Sequence, residues 1–222
     1  MGPWAGPVVA AAVMLIDPPL AARDGAEWLD LGARIEDSKR LSALQRERAE
    51  QLIRRHAIVG VGIVSADHID ERNILQATLC AMSQAVADLS CAPELILIDG
   101  LHAPALPAPH RTIVDGDRYS YSIACASIIA KVLRDSLMRF YHRVFPEHRF
   151  DQHKGYGTAD HQRSLRDPGP CALHRFSFEP VRAAHLCAMS GLSPADHADA
   201  GASQPGPASQ SDERVDGLAV AA

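Results

Sequence analysis

The segment Val8–Ile16, VVAAAVMLI, constrains this chain more than any other. At nine residues it is about half the length a membrane-spanning helix requires. No Lys or Arg precedes it to make the basic start of a secretion signal. A run that is apolar, rich in Val and too short to span a bilayer predicts a buried β-strand, so the chain must build a sheet around it. Its 222 residues, 47% of them hydrophobic, suffice for one domain with a full core and an appendage. Two independent enzymes would not fit.

The rest of 1–185 alternates strand and helix. IVGVGIVS (58–65) sets Val59, Val61 and Ile63 on one face with Gly60 and Gly62 between them, which predicts a strand against which something packs closely. LILI (95–98), ending in Asp99-Gly100, reads as a central strand buried on both faces. Ser42 and Gln45 form a capping box for a helix reaching about His56. Leu75, Leu79, Met82, Val86 and Leu89 recur every three or four residues and predict one amphipathic helix over about 69–89. Residues 121–144 are apolar nearly all round and predict a helix lying deep against the sheet. The fold class is α/β.

From Ser190 onward the text is Ala, Ser, Gly, Pro and Asp with almost no large apolar residue, a composition that buries too little surface to offset the entropy of ordering. A disordered tail is predicted for 186–222, and it carries most of the net charge of −5. The body is close to neutral, which excludes a strongly basic surface and leaves room for a local nucleic-acid groove. Five scattered cysteines with no C-x-x-C pair suit reduced thiols in a cytosol, and read as small core hydrophobes.

Two acids stand out. Asp99 closes LILI, and Asp117 follows IVDG just before the long helix. Ligands gather at strand ends in α/β sheets, and paired carboxylates there make a hard-cation site for Mg2+ or Mn2+. Both residues also suit plain turn or cap roles. Asp135 lies some fourteen residues into the predicted helix, roughly 20 Å from its start, so it reads as a structural partner for an Arg. Among 22 basic residues only Lys39, Lys131 and Lys154 are lysines. Lys39 and Lys154 fall in polar, loop-like text where a compact ammonium serves as a point charge on phosphate, while Lys131 snorkels from the helix. Tyr156, between Gly155 and Gly157, offers a ring to stack on a sugar or base, or simply marks a Gly-Tyr-Gly turn. Histidines 102, 110, 142, 148, 153, 161 and 174 show no zinc spacing and read as surface or structural residues.

In order along the chain, GPWAGPVVAAAV, DSKRLS, ERNILQATLCAM, LILIDG, VDGDRYSYSIACASIIAKVLRD, QHKGYGT and HRFSFEPV closely resemble successive motifs of the bacterial ribonuclease HII family, from Gly2 to about Ala184. The resemblance implies an RNase H-like mixed sheet flanked by helices, forming one catalytic domain over 1–185. It implies hydrolysis of the RNA strand of RNA–DNA hybrids and cutting at ribonucleotides embedded in duplex DNA, with carboxylates holding Mn2+ or Mg2+. Asp99 and Asp117 match two of the family's four acidic positions. Lys39, with Ser38 beside it, matches a phosphate contact, Lys154 belongs to the same substrate surface, and Tyr156 matches the ring that packs on the ribonucleotide. A cytoplasmic monomer with no membrane association is implied.

The family's fold begins with a central strand ending D-E-A-G-R-G. Gly2 stands for its last Gly and Met1 falls on the Arg, so the resemblance implies a text that resumes after the first strand, two acids short. An open slot in the sheet, poor stability and little nuclease activity are therefore expected, with a start codon placed too late as the cause. The competing expectations are an inactive module that binds hybrid duplex and a decayed gene product.

Overall fold

A computed structural model describes residues 2–16, 41–190 and, as backbone, 218–221. The elements are β1 (Val8–Leu15), α1 (Ala43–His56), β2 (Ala57–Val64), α2 (Ala66–Arg72), α3 (Ile74–Ala87), β3 (Ile96–Asp99), β4 (His110–Ile113), α4 (Gly116–Tyr119), α5 (Tyr121–Val144), a 3-10 turn at Pro146–His148, α6 (Phe150–His153), α7 (Ala159–Arg166), α8 (Glu179–Ser190) and β5 (Leu218–Ala221). The chain divides into two compact units. One comprises Met1–Pro7, Ser65–Ile74 and Asp135–Val215; the other comprises Val8–Val64, Leu75–Arg134 and Asp216–Ala222.

The second unit holds a five-stranded mixed sheet in the order β2-β1-β5-β3-β4. β1 pairs antiparallel with β2, from Val8 opposite Val64 to Leu15 opposite Ala57. The opening run is the buried strand its composition predicts: Val8 to Val13 have no exposed surface. β3 runs parallel to β4, with Ile96 opposite His110. Its Ile96 and Ile98 are buried and Leu97 half-buried, close to the doubly covered strand expected of LILI.

Between β1 and β3 the sheet differs from the open slot expected. Leu218–Ala221 lies there, parallel to β1 with Ala10 opposite Leu218 and antiparallel to β3 with Ile98 opposite Val220. Both neighbouring strands thereby gain backbone partners, and a strand needs little more than an extended backbone to supply them. The stretch expected to be a tail from 186 is described in two places, this strand and the end of α8 at Ser190; residues 191–217 lie outside the described residues.

The glycines of β2 set how closely α3 approaches. A Cβ on Gly60 would lie 2.1 Å from the Ala85 carbonyl oxygen, and one on Gly62 would lie 1.9 Å from that of Ala81. Helix backbone therefore rests directly on strand backbone. The buried stripe of α3 is accordingly small: Ala77, Ala81 and Ala85 join Met82 and Val86 inside, while Leu75 and Ile63 stay exposed. β2 is an edge strand, and α3 and its C-terminal flank cover its donors. Val61 N–H donates to Asp88 Oδ2 at 2.9 Å and Ile63 N–H to Gln84 Oε1 at 3.1 Å. Such pairing blunts an edge that would otherwise template aggregation.

Two helix expectations meet different outcomes. α1 has the predicted capping box, with Gln45 N–H donating to Ser42 Oγ and Ser42 N–H to Gln45 Oε1. The single helix expected over 69–89 is broken into α2 and α3 by Asn73, whose φ is +71° and which cannot continue a right-handed turn. α5 runs unbroken through its predicted span, with Ile123 to Ala126 and Ile128 to Ala130 buried.

In the first unit, Trp4, Leu165 and Val181 form one cluster with Phe176 and Phe178, and Ala5, Met138 and Phe150 form another with Tyr141, Phe145, Cys171 and Leu173. Arg175 is fully buried. Its Nε donates to the Gly6 carbonyl at 3.1 Å and its guanidinium lies over the Phe178 ring at 5.3 Å. Asp70, on α2, accepts from the N–H groups of Phe176 and Ser177, each at 2.8 Å. Among the described residues no helix is long and apolar enough to cross a membrane.

Candidate functional site

In the second unit the chemistry gathers where β3 ends. Asp99 is its last residue, and Gly100 turns the chain away with a φ of +103°. Gly100 N–H still donates to the Ile113 carbonyl at 2.9 Å, so β3 and β4 deliver their ends side by side. Asp115 follows in the left-handed region at φ +56°, and α4 opens at Gly116 with Asp117 in its first turn.

The two sequence-selected acids are tied to this turn. Asp99 Oδ1 accepts from Gly116 N–H at 2.8 Å, next to Asp117 in the chain. A Cβ at position 116 would stand 2.7 Å from Ile123 Cδ1 and 3.3 Å from Asp99 Oδ1, so a side chain there would crowd the carboxylate. Both acids are half-buried. Sequence reasoning passed over Asp115; the signal was the acid on each side of Gly116 in VDGD. α5 is continuous, so Asp135 sits in its second half, well beyond the helix start.

Further along, Cys125 is buried on α5, and burial pushes its thiol up to about 12. Burial raises the Tyr121 phenol as well. Cys125 is the core thiol that sequence reading expected of all five. Cys91 is exposed and the other three lie between, because their helices and loops leave them near the surface.

Lys154 and Tyr156 belong to the first unit, as does Gly2, which is half-buried at the start of the described chain. Lys154 adopts φ +52° and Gly155 φ +85°. The Lys154 ammonium donates to the Asp151 carbonyl. The glycines flanking Tyr156 allow a close approach, but to the protein itself: a Cβ on Gly155 would lie 2.4 Å from the Ala5 carbonyl oxygen, and one on Gly157 2.3 Å from the Trp4 ring. Trp4 N–H donates to the Gly155 carbonyl at 2.8 Å. Tyr156 is therefore presented from a loop fixed on both sides. Ser38 and Lys39 lie outside the described residues.

Behind this loop the structure assembles His148, His153, His161 and His174, all buried, which sequence spacing had assigned to scattered structural roles. Their hydrogen bonds fix the tautomers. Cys171 N–H donates to His174 Nδ1 at 2.9 Å, so His174 carries its proton on Nε2 and gives it to His161 Nε2 at 3.0 Å. His161 then donates from Nδ1 to the Tyr156 carbonyl at 3.0 Å. His153 accepts from Gly155 N–H at 3.1 Å and donates to the His148 carbonyl at 2.7 Å. Burial lowers the proton affinity of all four, to about 4 for His161 and about 3 for His174, so they are neutral near pH 7.

Comparison with known proteins gives the family and the fold. The family model for Ribonuclease HII matches residues 1–181. A Ribonuclease HII of Syntrophus aciditrophicus is 49% identical over 179 residues, 80% of this chain and 79% of that protein. One from Halorhodospira halophila is 48% identical over 185 residues, 82% of this chain and 88% of that protein. Among solved structures, the ribonuclease H2 of Pyrococcus horikoshii superposes with a TM-score of 0.61 at 21% identity, covering 83% of this chain and 92% of that one. Bst-RNase HIII in complex with Mn2+ gives a TM-score of 0.62 at 20% identity, over 86% and 68% of the two chains. These structural likenesses carry the RNase H-like fold, and the sequence matches carry the rest: the chain belongs to the ribonuclease HII family of RNase H-type endonucleases.

Proposed function

We propose that this protein hydrolyses the RNA strand of RNA–DNA hybrids and cuts at ribonucleotides embedded in duplex DNA, with Asp99 and Asp117 as the acids that hold Mn2+ or Mg2+. The observation that carries this reading is the bond from Gly116 N–H to Asp99 Oδ1, which ties the carboxylate at the end of β3 to the turn bearing Asp117. Half-buried carboxylate oxygens suit a hard divalent cation, and the missing side chain at Gly116 leaves the oxygen uncrowded. A divalent cation bound there supplies Lewis-acid stabilisation of charge developing on the phosphate and an acidified water.

The chain's own residues position the substrate. The start of α4 fixes Asp117, and the amide of Gly116 orients Asp99. Lys154 and Lys39 serve as point charges on the phosphate backbone, with Ser38 and Gly2 as backbone or hydroxyl contacts, and Tyr156 stacks on the sugar at the ribonucleotide. Residues 1–185 act as one catalytic domain in a cytoplasmic monomer, and 186–222 takes no part in the chemistry.

A duplex carrying one ribonucleotide, labelled at its 5′ end and incubated with the full chain in Mn2+ or Mg2+, tests this. Cutting beside the ribonucleotide, reduced at least tenfold in Asp99→Asn and in Asp117→Asn, supports the proposal. Cutting that both variants retain would refute the assigned acids. Tight binding to the duplex without cleavage in either metal would instead favour a hybrid-binding module.

A further inference from the structure

Apart from the acids of the second unit, the first unit assembles donors of a different chemical kind. Cys171 Sγ, a His174 ring nitrogen and a His148 ring nitrogen lie within 4.8 Å of one another. We propose that Cys171, His174 and His148 form a second metal site, for a borderline-soft divalent ion of the zinc class, distinct from the hard-cation site assigned to Asp99 and Asp117.

Three observations carry this. The hydrogen-bond relay puts the His174 proton on Nε2, which leaves the Nδ1 lone pair directed at Cys171, with Nδ1 and Sγ 3.3 Å apart. Zn–S and Zn–N bonds of about 2.3 and 2.0 Å at a tetrahedral angle hold sulfur and nitrogen about 3.5 Å apart, so the pair needs to open only slightly. The second observation is His148. It is 2% exposed, and its Nδ1 is buried with no hydrogen-bond partner. Native interiors rarely leave such a nitrogen without a role, and an ion is one of the few groups that satisfies it.

The third is the surroundings. A metal-bound imidazole normally donates its other N–H to an acceptor that fixes its orientation. His174 already does so through Nε2 to His161, which is itself anchored on the Tyr156 carbonyl. Cys171 is only half-buried, which gives an entry path. Sulfur and imidazole donors select zinc over magnesium or manganese. Uptake of the ion releases the Cys171 thiol proton to solvent and displaces the Cys171 N–H from His174 Nδ1, so binding is reversible and weakens as pH falls.

Co2+ titrated into the reduced, chelator-treated full chain is the test, because a thiolate ligand gives a charge-transfer absorption that carboxylate ligands cannot. One equivalent of Co2+ should produce that band, Zn2+ should abolish it, and Cys171→Ser should lack it while keeping the far-ultraviolet circular dichroism of the parent. No band, or a band that survives Cys171→Ser, overturns the proposal. Should the variant fail to fold, the parent chain decides: Zn2+ should slow alkylation of Cys171 at least tenfold, read by mass spectrometry, and leave exposed Cys91 unprotected. Equal alkylation of Cys171 with and without Zn2+ would overturn the assignment.

Discussion

The two units of this chain solve the problem of a dense interior in opposite ways. In the sheet unit, contact is made by removing atoms: Gly60 and Gly62 present bare backbone to the Ala81 and Ala85 turns of α3. In the other unit, contact is made by pairing polar groups: four buried histidines and a fully buried Arg175 each meet carbonyls, amides or rings. The difference teaches what each region tolerates. The first is sensitive to any added volume and the second to any lost partner, since a buried donor left alone keeps its full desolvation penalty.

The sharpest way to break the comparison is to add volume to the sheet unit. Gly62→Val should destabilise by about 3 kcal/mol or more, because the new Cβ meets a backbone carbonyl that cannot move without shifting α3. Urea unfolding gives the number, and a loss under about 1 kcal/mol would show that strand and helix are not in backbone contact. His161→Leu keeps the volume similar and removes two partners, the His174 Nε2–H acceptor and the Tyr156 carbonyl donor. It should cost about 2–3 kcal/mol. The double variant with His174→Leu should lose less than the sum of the two single variants, because the orphaned groups go together.

Asp70→Ala sharpens the contrast at a half-exposed position. It removes the acceptor of the Phe176 and Ser177 amides and should cost about 1–2 kcal/mol. Smallest is Ser42→Ala, at about 1 kcal/mol from a solvent-facing capping box that belongs to neither packing style.

What could be read from sequence follows the range over which each feature is encoded. β1, the α1 capping box and the span of α5 are written in consecutive residues, and each is found where local pattern put it. The close approach at β2 was legible too, because Gly60 and Gly62 alternate with large residues. The buried stripe of α3 was misjudged: leucine periodicity pointed to Leu75, yet strand glycines accept alanines more closely, and Leu75 is left exposed. Asn73 was not recognised as a breaker, since nothing in ERNILQ distinguishes a left-handed Asn from a helical one. The histidine cluster was illegible for a different reason: it joins residues 148 to 174 across three short elements, and no spacing rule covers that geometry. β5 escaped detection because Leu218–Ala221 is a four-residue pattern inside text poor in large apolar residues, too short to mark a strand whose contribution is backbone pairing.

That last strand has a consequence for how the protein comes into being. β5, the partner of β1 in the middle of the sheet, is made some two hundred residues after it. At synthesis rates of about 5–20 residues per second this imposes a wait of about ten seconds or more. Throughout it the nascent chain displays two open, apolar strand edges, the species chaperones bind and neighbouring polysomes cross-associate with. Closure of the sheet thus waits for β5, and soluble yield depends on translation rate and temperature more steeply than final stability alone would dictate.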